Sequence, residues 1–284
     1  METAYSILMS VYAKESSRFL EKAIFSMLHQ TIRTDDFVIV CDGPLTQELD
    51  DVLECYSREN PGLFHIVRLP RNVGIGAAAN AGLHVCKNDL VAKMDADDIA
   101  LPNRCELQLN RFTQNGKLAI IGTNIEEFDK DPARPFALRC VPEHNEMIRK
   151  FARRRQPFNN QTVMYRKNAV LAVGGYSNLP RNEDYDLYIR MLAAGYEAEN
   201  LPQPLVKVRV DRDAAHRRAS LATLKGCFCS RWRAYRIGYT SLWDFIYCIT
   251  GQFVIFICPY QLQNLIYSKL LRRACPEKQS MEDS

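Results

Sequence analysis

Short apolar runs alternate along the first part of the chain with stretches in which apolar residues recur every three or four positions. A short apolar run bounded by turn residues is typical of a buried strand, and the longer spacing is typical of an amphipathic helix. The pattern predicts strands at 6–11, 37–40 and 64–69 and from residue 90, with helices at 19–28 (after a possible cap at Ser16 or Ser17), 45–56 and 74–85. This alternation predicts an α/β fold in which helices flank both faces of a mainly parallel sheet.

The last apolar stretch, at 242–260, differs because polar residues interrupt it. Asp244, Gly251 and Gln252 break the run, and a membrane-spanning helix needs about 20 nearly uninterrupted apolar residues. Tryptophan and tyrosine residues stand in and before this stretch, as they do in segments that lie in a membrane interface. We therefore expect an amphipathic, membrane-associating region; a helical hairpin packed on the protein or on a partner is the alternative.

Polar residues follow the predicted strands at their carboxyl ends. Asp42, Asn72 and Asp95 each stand just after an apolar run. In parallel α/β sheets, ligands bind outside the carboxyl ends of the strands. We therefore expect these side chains at one binding edge.

Three carboxylates crowd the end of the fourth strand, at Asp95, Asp97 and Asp98. Side chains two positions apart on a strand share a face, so Asp95 and Asp97 can point the same way. Their mutual repulsion favours a hard divalent cation with oxygen ligands, Mn²⁺ or Mg²⁺. A solvated acidic turn is the alternative for a motif this short.

Residues 71–82, RNVGIGAAANAG, form a small-residue segment after the third strand. Small residues let a backbone approach a ligand, and a helix N-terminus there favours an anion. The segment lacks the third glycine of a dinucleotide fingerprint and does not follow the first strand, which argues against a hydride-transfer enzyme.

The distribution of charge and the spacing of the cysteines limit the classes of function that fit the sequence. The net charge is +4, and basic residues cluster at 149–155, 207–218, 231–236 and 269–273. These clusters indicate binding to phosphates or to an anionic surface. No recognition motif of a nucleic-acid-binding protein accompanies them. We interpret 149–155 as a solvated helix face. The ten cysteines include no C-x-x-C pair, and with no recognisable signal peptide they suggest reduced thiols in a cytosolic protein.

Six motifs in fixed order resemble family 2 glycosyltransferases of the A-type fold. They are SILMSVY, FLEKAIFSMLHQT, VIVCDG, LPRNVGIGAAANAGL, AKMDADDIALPNRCELQ and NEDYDLYIRMLAAGY. Together they are most similar to bacterial members that build O-antigen, capsule and amylovoran-type exopolysaccharide. Two positions depart from the family pattern. Ala13 stands where the family usually has Asn, and Asn160-Gln161 stands where many relatives have His-Pro.

The resemblance implies roles for particular residues. The UDP-sugar would be bound by Asp42, Arg71, Asn72, Asn80 and Asp95, and Arg217 and Arg218 would neutralise its diphosphate. Asp95 and Asp97 would hold Mn²⁺ or Mg²⁺. Asp184 would be the general base, with Glu183 as the close alternative. Because both carboxylates begin a helix, capping of the helix dipole is the structural alternative.

The resemblance also implies the reaction and the organisation of the chain. A hexose, galactose or glucose, would pass from UDP to an undecaprenyl-diphosphate-linked sugar with inversion, at the cytoplasmic face of the inner membrane. The catalytic domain would span 1–218, with a nucleotide-sugar half at 1–100 and an acceptor half at 101–218. A peripheral, membrane-associating helical region would follow at 219–273, then a disordered tail at 274–284. A different donor, UDP-GlcNAc or UDP-GalNAc, and a non-catalytic scaffold remain the alternatives.

Overall fold

The structure, a computed structural model, describes residues 4–210, 220–257 and 273–274. Its first half is a parallel sheet in the order β3-β2-β1-β4. The strands are β1 (Ser6–Val11), β2 (Asp36–Cys41), β3 (Phe64–Arg68) and β4 (Leu90–Asp95), and the connecting helices are α1 (Ser17–Leu28), α2 (Gln47–Glu59) and α3 (Ile75–Val85). These elements confirm the alternation expected from the sequence.

The second half of the sheet is mixed, so the expectation of a mainly parallel sheet is wrong there. Strand β8 (Met164–Arg166) lies between β4 and β6 (Leu118–Phe128) and runs antiparallel to both. Strand β7 (Ala137–Arg139) is also antiparallel to β6. Only a short loop joins β6 to β7, and a parallel pair needs a crossover of about a dozen residues or more. The remaining strands are β5 (Ile99–Ala100) and β9 (Glu197–Arg209), which pair with each other, and β9 also runs parallel to β6.

Helices cover both faces of the sheet, as the sequence predicted. On one face, α1 buries Leu20, Ile24 and Met27 in a core with Met9 and Phe37. On the other face, the small residues of α3 pack directly on the strands. The remaining helices of this part are α4 (Arg104–Gln114), α5 (Asn145–Ala152), the 3₁₀ turn Asn160–Thr162, α6 (Lys167–Ala172) and α7 (Glu183–Ala193).

The closeness of α3 to the sheet explains the small residues in its sequence. A Cβ at Gly82 would lie 2.3 Å from Cδ1 of Leu8 and 2.6 Å from Cγ2 of Val40. A larger residue there would push the helix away from β1 and β2. The helix thereby keeps a short distance between its N-terminus and the carboxyl edge of the sheet.

Two further helices, α8 (Leu221–Arg236) and α9 (Leu242–Ile257), form a hairpin docked near α5 and α7. The buried Arg231 of α8 donates to the carbonyls of Arg153 (3.1 Å) and Arg154 (3.0 Å). Its guanidinium also lies over the ring of Tyr185. At the start of α9, the buried Asp244 accepts hydrogen bonds from the side chains of both Arg153 and Arg154. The basic 149–155 stretch is therefore not only a solvated face, because its arginines clamp this hairpin.

The end of the chain differs from expectation at one point. Strand β10 (Arg273–Ala274) pairs antiparallel with β7, so residue 273 is not helical and Ala274 does not belong to a disordered tail. The open backbone edge of β7 provides the hydrogen-bond partners that the sequence pattern does not reveal. The rest of the expected tail lies outside the described residues.

None of the helices in the described part of the chain is both long and apolar enough to cross a membrane.

Candidate active site

The candidate site lies at the carboxyl edge of the parallel strands. Asp42 directly follows β2, and Asp95 is the last residue of β4. Strand β1 lies between these two strands. The edge position expected for both carboxylates is therefore correct.

Asp42 organises the loop that leads into α3. Its Oδ1 accepts from the backbone N–H of Val73 at 2.7 Å, and its Oδ2 accepts from that of Gly74 at 3.1 Å. The side-chain amide of Asn72 donates to the Asp42 carbonyl at 3.3 Å. A carboxylate has more lone-pair sites than these two bonds use, so it can still accept a ligand N–H. Arg71 and Asn72 are exposed on this loop beside it.

The glycine-rich start of α3 lies at the binding edge and also contacts the loop that precedes α7. A Cβ at Gly76 would lie 2.6 Å from the carbonyl oxygen of Ser177. Asn80 donates to the Tyr176 carbonyl and accepts from the Tyr176 N–H, both at 2.8 Å. The structure thus gives Asn80 a structural partner on the loop before α7, and its role in binding a nucleotide stays a prediction.

The three carboxylates after β4 differ in environment. Asp95 and Asp97 are partly exposed, and Oδ1 of Asp95 lies 2.5 Å from Nζ of Lys93. Asp98 is buried and accepts from the backbone N–H of Arg209 at 2.9 Å. Burial, and then the charges of Asp97 and Asp95, raise the pKa of Asp98 well above its usual range. Asp98 therefore ties β9 to the loop, whereas Asp95 and Asp97 are partly exposed at the binding edge.

Asp95 and Asp97 suit a metal that is shared with a substrate. No group of three or more His, Cys, Asp or Glu side chains in the described ranges is arranged to enclose a cation. Magnesium-type ions, however, are commonly bound by one or two carboxylates together with phosphate oxygens and water. Two partly exposed carboxylates at a ligand-binding edge match that donor set.

A fully buried arginine supports this segment from behind. Nη2 of Arg104 donates to the carbonyl of Lys93 at 2.6 Å, and its Nε donates to Gln108 at 3.2 Å. Burial lowers the pKa of the Arg104 guanidinium. Arg104 thereby fixes the backbone of β4 two residues before Asp95.

The E-D pair stands at the start of α7, immediately after Asn182. Asn182 adopts φ 63°, and it is the only non-glycine residue with positive φ in the described part of the chain. Such backbone strain is concentrated at functional sites. Oδ1 of Asp184 accepts from the N–H of Tyr185 at 2.7 Å, and Oδ2 accepts from Nε2 of Gln156 at 2.6 Å. Glu183 is buried against α3, where its Cγ would lie 3.3 Å from a Cβ at Gly76.

Burial dominates the ionisation of both carboxylates of the pair. Burial, followed by the charge of Asp184, raises the pKa of Glu183 to about 7. Burial also raises the pKa of Asp184, against the opposing hydrogen bonds from Tyr185 and Gln156. The charge of Lys93 lowers the pKa of both groups and of Asp98. Lys93 therefore lies within electrostatic range of the carboxylates after β4 and of the pair on α7, so the end of β4 and the start of α7 are close together.

Sequence reasoning missed several residues of this site. Lys93 lies two positions before Asp95 on one strand face, and that period-two spacing could have identified it. Gln156 and Tyr188 come from distant segments and carried no such signal; the buried Tyr188 donates to Oδ1 of Asn160 at 2.6 Å. The guanidinium carbon of Arg209 lies 3.7 Å from the centre of the Phe19 ring. Arg217 and Arg218 lie outside the described residues.

Comparison with known proteins decides the family. The profile of Glycosyl transferase family 2 matches residues 6–178, which include β1 to β4 and the carboxylates after β4. The chain belongs to glycosyl transferase family 2. The resemblance inferred from the ordered motifs is thereby confirmed, and this family 2 enzyme is a glycosyltransferase.

Two curated relatives align over much of this family 2 chain. The UDP-Gal:alpha-D-GlcNAc-diphosphoundecaprenol beta-1,3-galactosyltransferase of Escherichia coli is 35% identical over 95% of this chain and 97% of its own length. The amylovoran biosynthesis glycosyltransferase AmsE of Erwinia amylovora is 37% identical over 75% of this chain and 79% of its own.

Solved structures share the fold. The mannosyltransferase PcManGT of Pyrobaculum calidifontis, in complex with GDP-Man and Mn²⁺, has a TM-score of 0.64 at 12% identity and covers 93% of this chain and 74% of its own. S. aureus TarS 1–349 in complex with UDP-GlcNAc has a TM-score of 0.61 at 13% identity, with 94% and 84% covered. These likenesses confirm the A-type α/β fold with a mixed sheet for this family 2 glycosyltransferase.

Proposed function

We propose that this chain transfers a hexose, galactose or glucose, from a UDP-sugar to a polyprenyl-diphosphate-linked sugar, with inversion to a β-glycoside. The observation that carries the proposal is that Lys93, which pairs with Asp95 at the end of β4, also lies close enough to α7 for its charge to lower the pKa of Asp184. The E. coli relative, which aligns over nearly its whole length, is named for such a reaction and supports the same substrate classes here.

The donor side is built from the carboxyl edge of β2 and the start of α3. Asp42 would accept the imide N–H of uracil, since the loop N–H groups fix its orientation and leave lone pairs for a ligand. Arg71 and Asn72 are exposed beside it for the ribose and phosphates, and Asn80 lies further along α3. The N-terminus of α3 favours the negative charge of the diphosphate.

Asp95 and Asp97 would hold Mn²⁺ or Mg²⁺, which supplies positive charge for the departing diphosphate. The Mn²⁺ complex of the mannosyltransferase with the same fold supports a divalent ion here. Arg217 and Arg218, which lie outside the described residues, remain proposed partners of the same phosphates.

On the acceptor side, Asp184 would take the proton of the attacking hydroxyl. The hydroxyl oxygen forms a bond to the anomeric carbon of the donor, and the bond from that carbon to the UDP oxygen breaks with its electron pair staying on UDP. Asp184 is suited to this step because two hydrogen bonds fix both of its oxygens. One displacement on an α-linked donor gives the β product.

The test is a donor screen on the full chain with Mn²⁺. UDP-Gal, UDP-Glc, UDP-GlcNAc and UDP-GalNAc are each incubated with a synthetic GlcNAc-diphosphate-lipid, and NMR determines the linkage of the product. Transfer from UDP-Gal or UDP-Glc with a β linkage and release of UDP is expected. Transfer only from a 2-acetamido donor would change the proposed sugar, and no transfer or hydrolysis with any donor would favour a scaffold.

We further propose that the α8–α9 hairpin places the enzyme on the cytoplasmic membrane surface, where a lipid-diphosphate acceptor is found. Trp243, Tyr247 and Ile257 of α9 are 77%, 61% and 64% exposed. At helical spacing they share a face with three more exposed apolar residues, and together these six form the apolar face of α9: Trp243, Ile246, Tyr247, Phe253, Val254 and Ile257. The guanidinium of Arg154 lies 5.0 Å from the Tyr247 ring, which adds a cation beside aromatic residues suited to headgroups.

A further inference from the structure

Gln156 lies between α5 and the 3₁₀ turn and contacts the carboxylate proposed as the base. Its Nε2 donates to Oδ2 of Asp184 at 2.6 Å. An ionised carboxylate only accepts hydrogen bonds, so the NH₂ end of the amide must face Asp184. The carbonyl end of Gln156 is consequently turned away from Asp184 and is available to another donor.

That carbonyl oxygen has no donor within the described ranges. Oε1 of Gln156 is buried and makes no hydrogen bond there. Buried acceptors without a partner are rare in folded proteins, and each calls for an explanation. A ligand that supplies a donor on this side of Asp184 would provide the missing hydrogen bond.

The chain around Gln156 is fixed, so the amide cannot easily turn to another partner. The carbonyl of Pro157 accepts from the side chain of Asn200 at 3.0 Å. Phe158 is fully buried and packs edge-on against Tyr188, with ring centroids 5.0 Å apart. A binding group held in this way by its surroundings is pre-organised.

We infer that Gln156 is a positioning and specificity residue of the acceptor site: its Nε2 orients Asp184, and its Oε1 accepts a hydrogen bond from the acceptor sugar. While the reacting hydroxyl donates to Asp184, a hydroxyl or amide N–H on the adjacent ring carbon donates to Gln156. The favoured acceptor is thus a sugar with a hydrogen-bond donor next to the reacting hydroxyl. The inference rests on the proposed function.

The two contacts of Gln156 have separable consequences. The hydrogen bond from Nε2 lowers the pKa of Asp184, because donation favours the ionised form. Glu183 and Lys93 are the charged groups facing Asp184, and the phenols of Tyr188 and Tyr176 are also near. None of these supplies the contact to the neighbouring ring substituent that Oε1 makes.

Two variants distinguish the contacts on the full chain. Gln156→Met keeps the length of the side chain and removes both contacts. Gln156→Glu, when ionised, replaces the donation to Asp184 by a second negative charge, and its other oxygen can still accept from the sugar. Gln203→Met, at an exposed position of β9, is the matched control. Each protein is assayed with the GlcNAc-diphosphate-lipid and with analogues in which one donor beside the reacting hydroxyl is replaced by hydrogen.

The expected result is a change in substrate discrimination and in the pH profile. For the wild type and Gln203→Met, loss of the neighbouring donor lowers kcat/KM about tenfold or more, because Oε1 then stays unpaired. Gln156→Met loses this discrimination, whereas Gln156→Glu keeps it. In both Gln156 variants the acid limb of the kcat profile moves to higher pH, since Asp184 loses the donated hydrogen bond.

Equal discrimination by the wild type and Gln156→Met would overturn the contact to the sugar, and an unmoved acid limb in both variants would overturn the orientation of Asp184. If Gln156→Met does not fold, Gln156→Leu, which also lacks both amide atoms, replaces it in the discrimination assay, and the pH profile of Gln156→Glu still tests the orientation of Asp184. Failure of the wild type to transfer to any acceptor would instead refute the proposed function.

Discussion

Nζ of Lys93 lies 2.5 Å from Oδ1 of Asp95, and only 7% of the lysine side chain is exposed. The same charge lowers the pKa of Glu183 and of Asp184. One buried cation therefore faces both the carboxylates proposed for the metal and those proposed for the base. Without it, the site would hold like charges that repel each other at low local dielectric.

Replacement of Lys93 should make the folded protein depend more on a divalent cation. Lys93→Met leaves Asp95, whose side chain is 32% exposed, without its partner, and loss of a hydrogen bond to a charged group costs about 1.5–3 kcal/mol. We expect a lower melting temperature without metal and a larger rise in melting temperature when Mn²⁺ is added, because a bound cation replaces the missing charge. Thermal unfolding with and without Mn²⁺ measures both values.

The control for this experiment is Lys87→Met, which removes an exposed lysine paired with Asp35. Its melting temperature should hardly change, since an exposed ion pair contributes about 0–1 kcal/mol. An equal response of Lys93→Met and wild type to Mn²⁺ would show that Lys93 does not compensate the carboxylates of the site.

Asp97 and Asp98 should behave differently although they are adjacent. Asp97→Asn weakens the proposed metal site and should lower turnover at least about 100-fold, since a catalytic metal contributes several kcal/mol. A chelator should inactivate the wild type, and Mn²⁺ should restore it. Asp98→Asn keeps an oxygen that accepts from the N–H of Arg209, so it should retain most activity and its response to Mn²⁺. Full turnover of the wild type in chelator would exclude a metal requirement.

Local patterns were sufficient to predict the donor side of the fold. The strand-and-helix alternation located β1 to β4, and the polar residues at their ends located Asp42 and Asp95 at one edge. Both inferences use only the spacing of nearby residues and the rule that parallel strands share their carboxyl edge. The antiparallel pairing of β7 and β8 was not predicted, because the pattern of a single strand does not show which strands it pairs with or in which direction.

The acceptor side depends on contacts between distant segments, which spacing cannot reveal. Gln156 and Asp184 meet across 28 positions, and Arg231 reaches the carbonyls of Arg153 and Arg154 across more than 70. Spacing along the chain does not distinguish Asp98 from Asp97 either. Only the bond from the β9 backbone at Arg209 makes Asp98 a buried structural residue.

Removal of exposed residues from the apolar face of α9 should weaken membrane binding. A Trp243→Ser, Ile257→Ser double variant loses two exposed side chains, and burying one such side chain contributes about 1.5–3 kcal/mol. We expect at least about tenfold weaker sedimentation with vesicles that contain anionic lipid. High salt should release part of the wild type, because it screens the basic residues.

Val85→Ser is the matched control, since Val85 is 42% exposed on α3, outside the hairpin. Release of the wild type only by detergent, and not by salt or alkaline carbonate, would argue for a spanning segment. A concentration-dependent dimer that dissociates in the double variant, with no vesicle binding by the wild type, would assign the face to a second copy.

Glu183 should destabilise the folded protein at alkaline pH. Its pKa rises from an ordinary 4.5 to about 7 on folding, so the folded state binds more protons between these values. Stability from this group is therefore present below pH 4.5 and is lost as the pH rises through 7. Metal-free Glu183→Gln should be about 3 kcal/mol more stable than the wild type at pH 8 and similar to it at pH 4.5, as judged by urea unfolding. A constant difference at both pH values would contradict this.

Replacement of Asp184 should lower activity more than replacement of Glu183, the other carboxylate at the start of α7. Asp184→Asn keeps the shape of the side chain and removes the proton acceptor. A general base contributes about 10²–10⁴-fold, so turnover should fall at least about 100-fold. Affinity for UDP-sugar and Mn²⁺, measured by calorimetry, should hardly change, because Asp184 contacts Tyr185 and Gln156 on the acceptor side.

Glu183→Gln is the comparison and should lower turnover less, since Glu183 packs against Gly76 of α3. Because a base must be ionised, wild-type activity should fall as the pH drops through the raised pKa of Asp184. Normal turnover of Asp184→Asn with an inactive Glu183→Gln would reverse the assignment. Normal turnover of both would leave the pair as a helix cap, and the proton of the acceptor hydroxyl would then have to pass to a group outside α7.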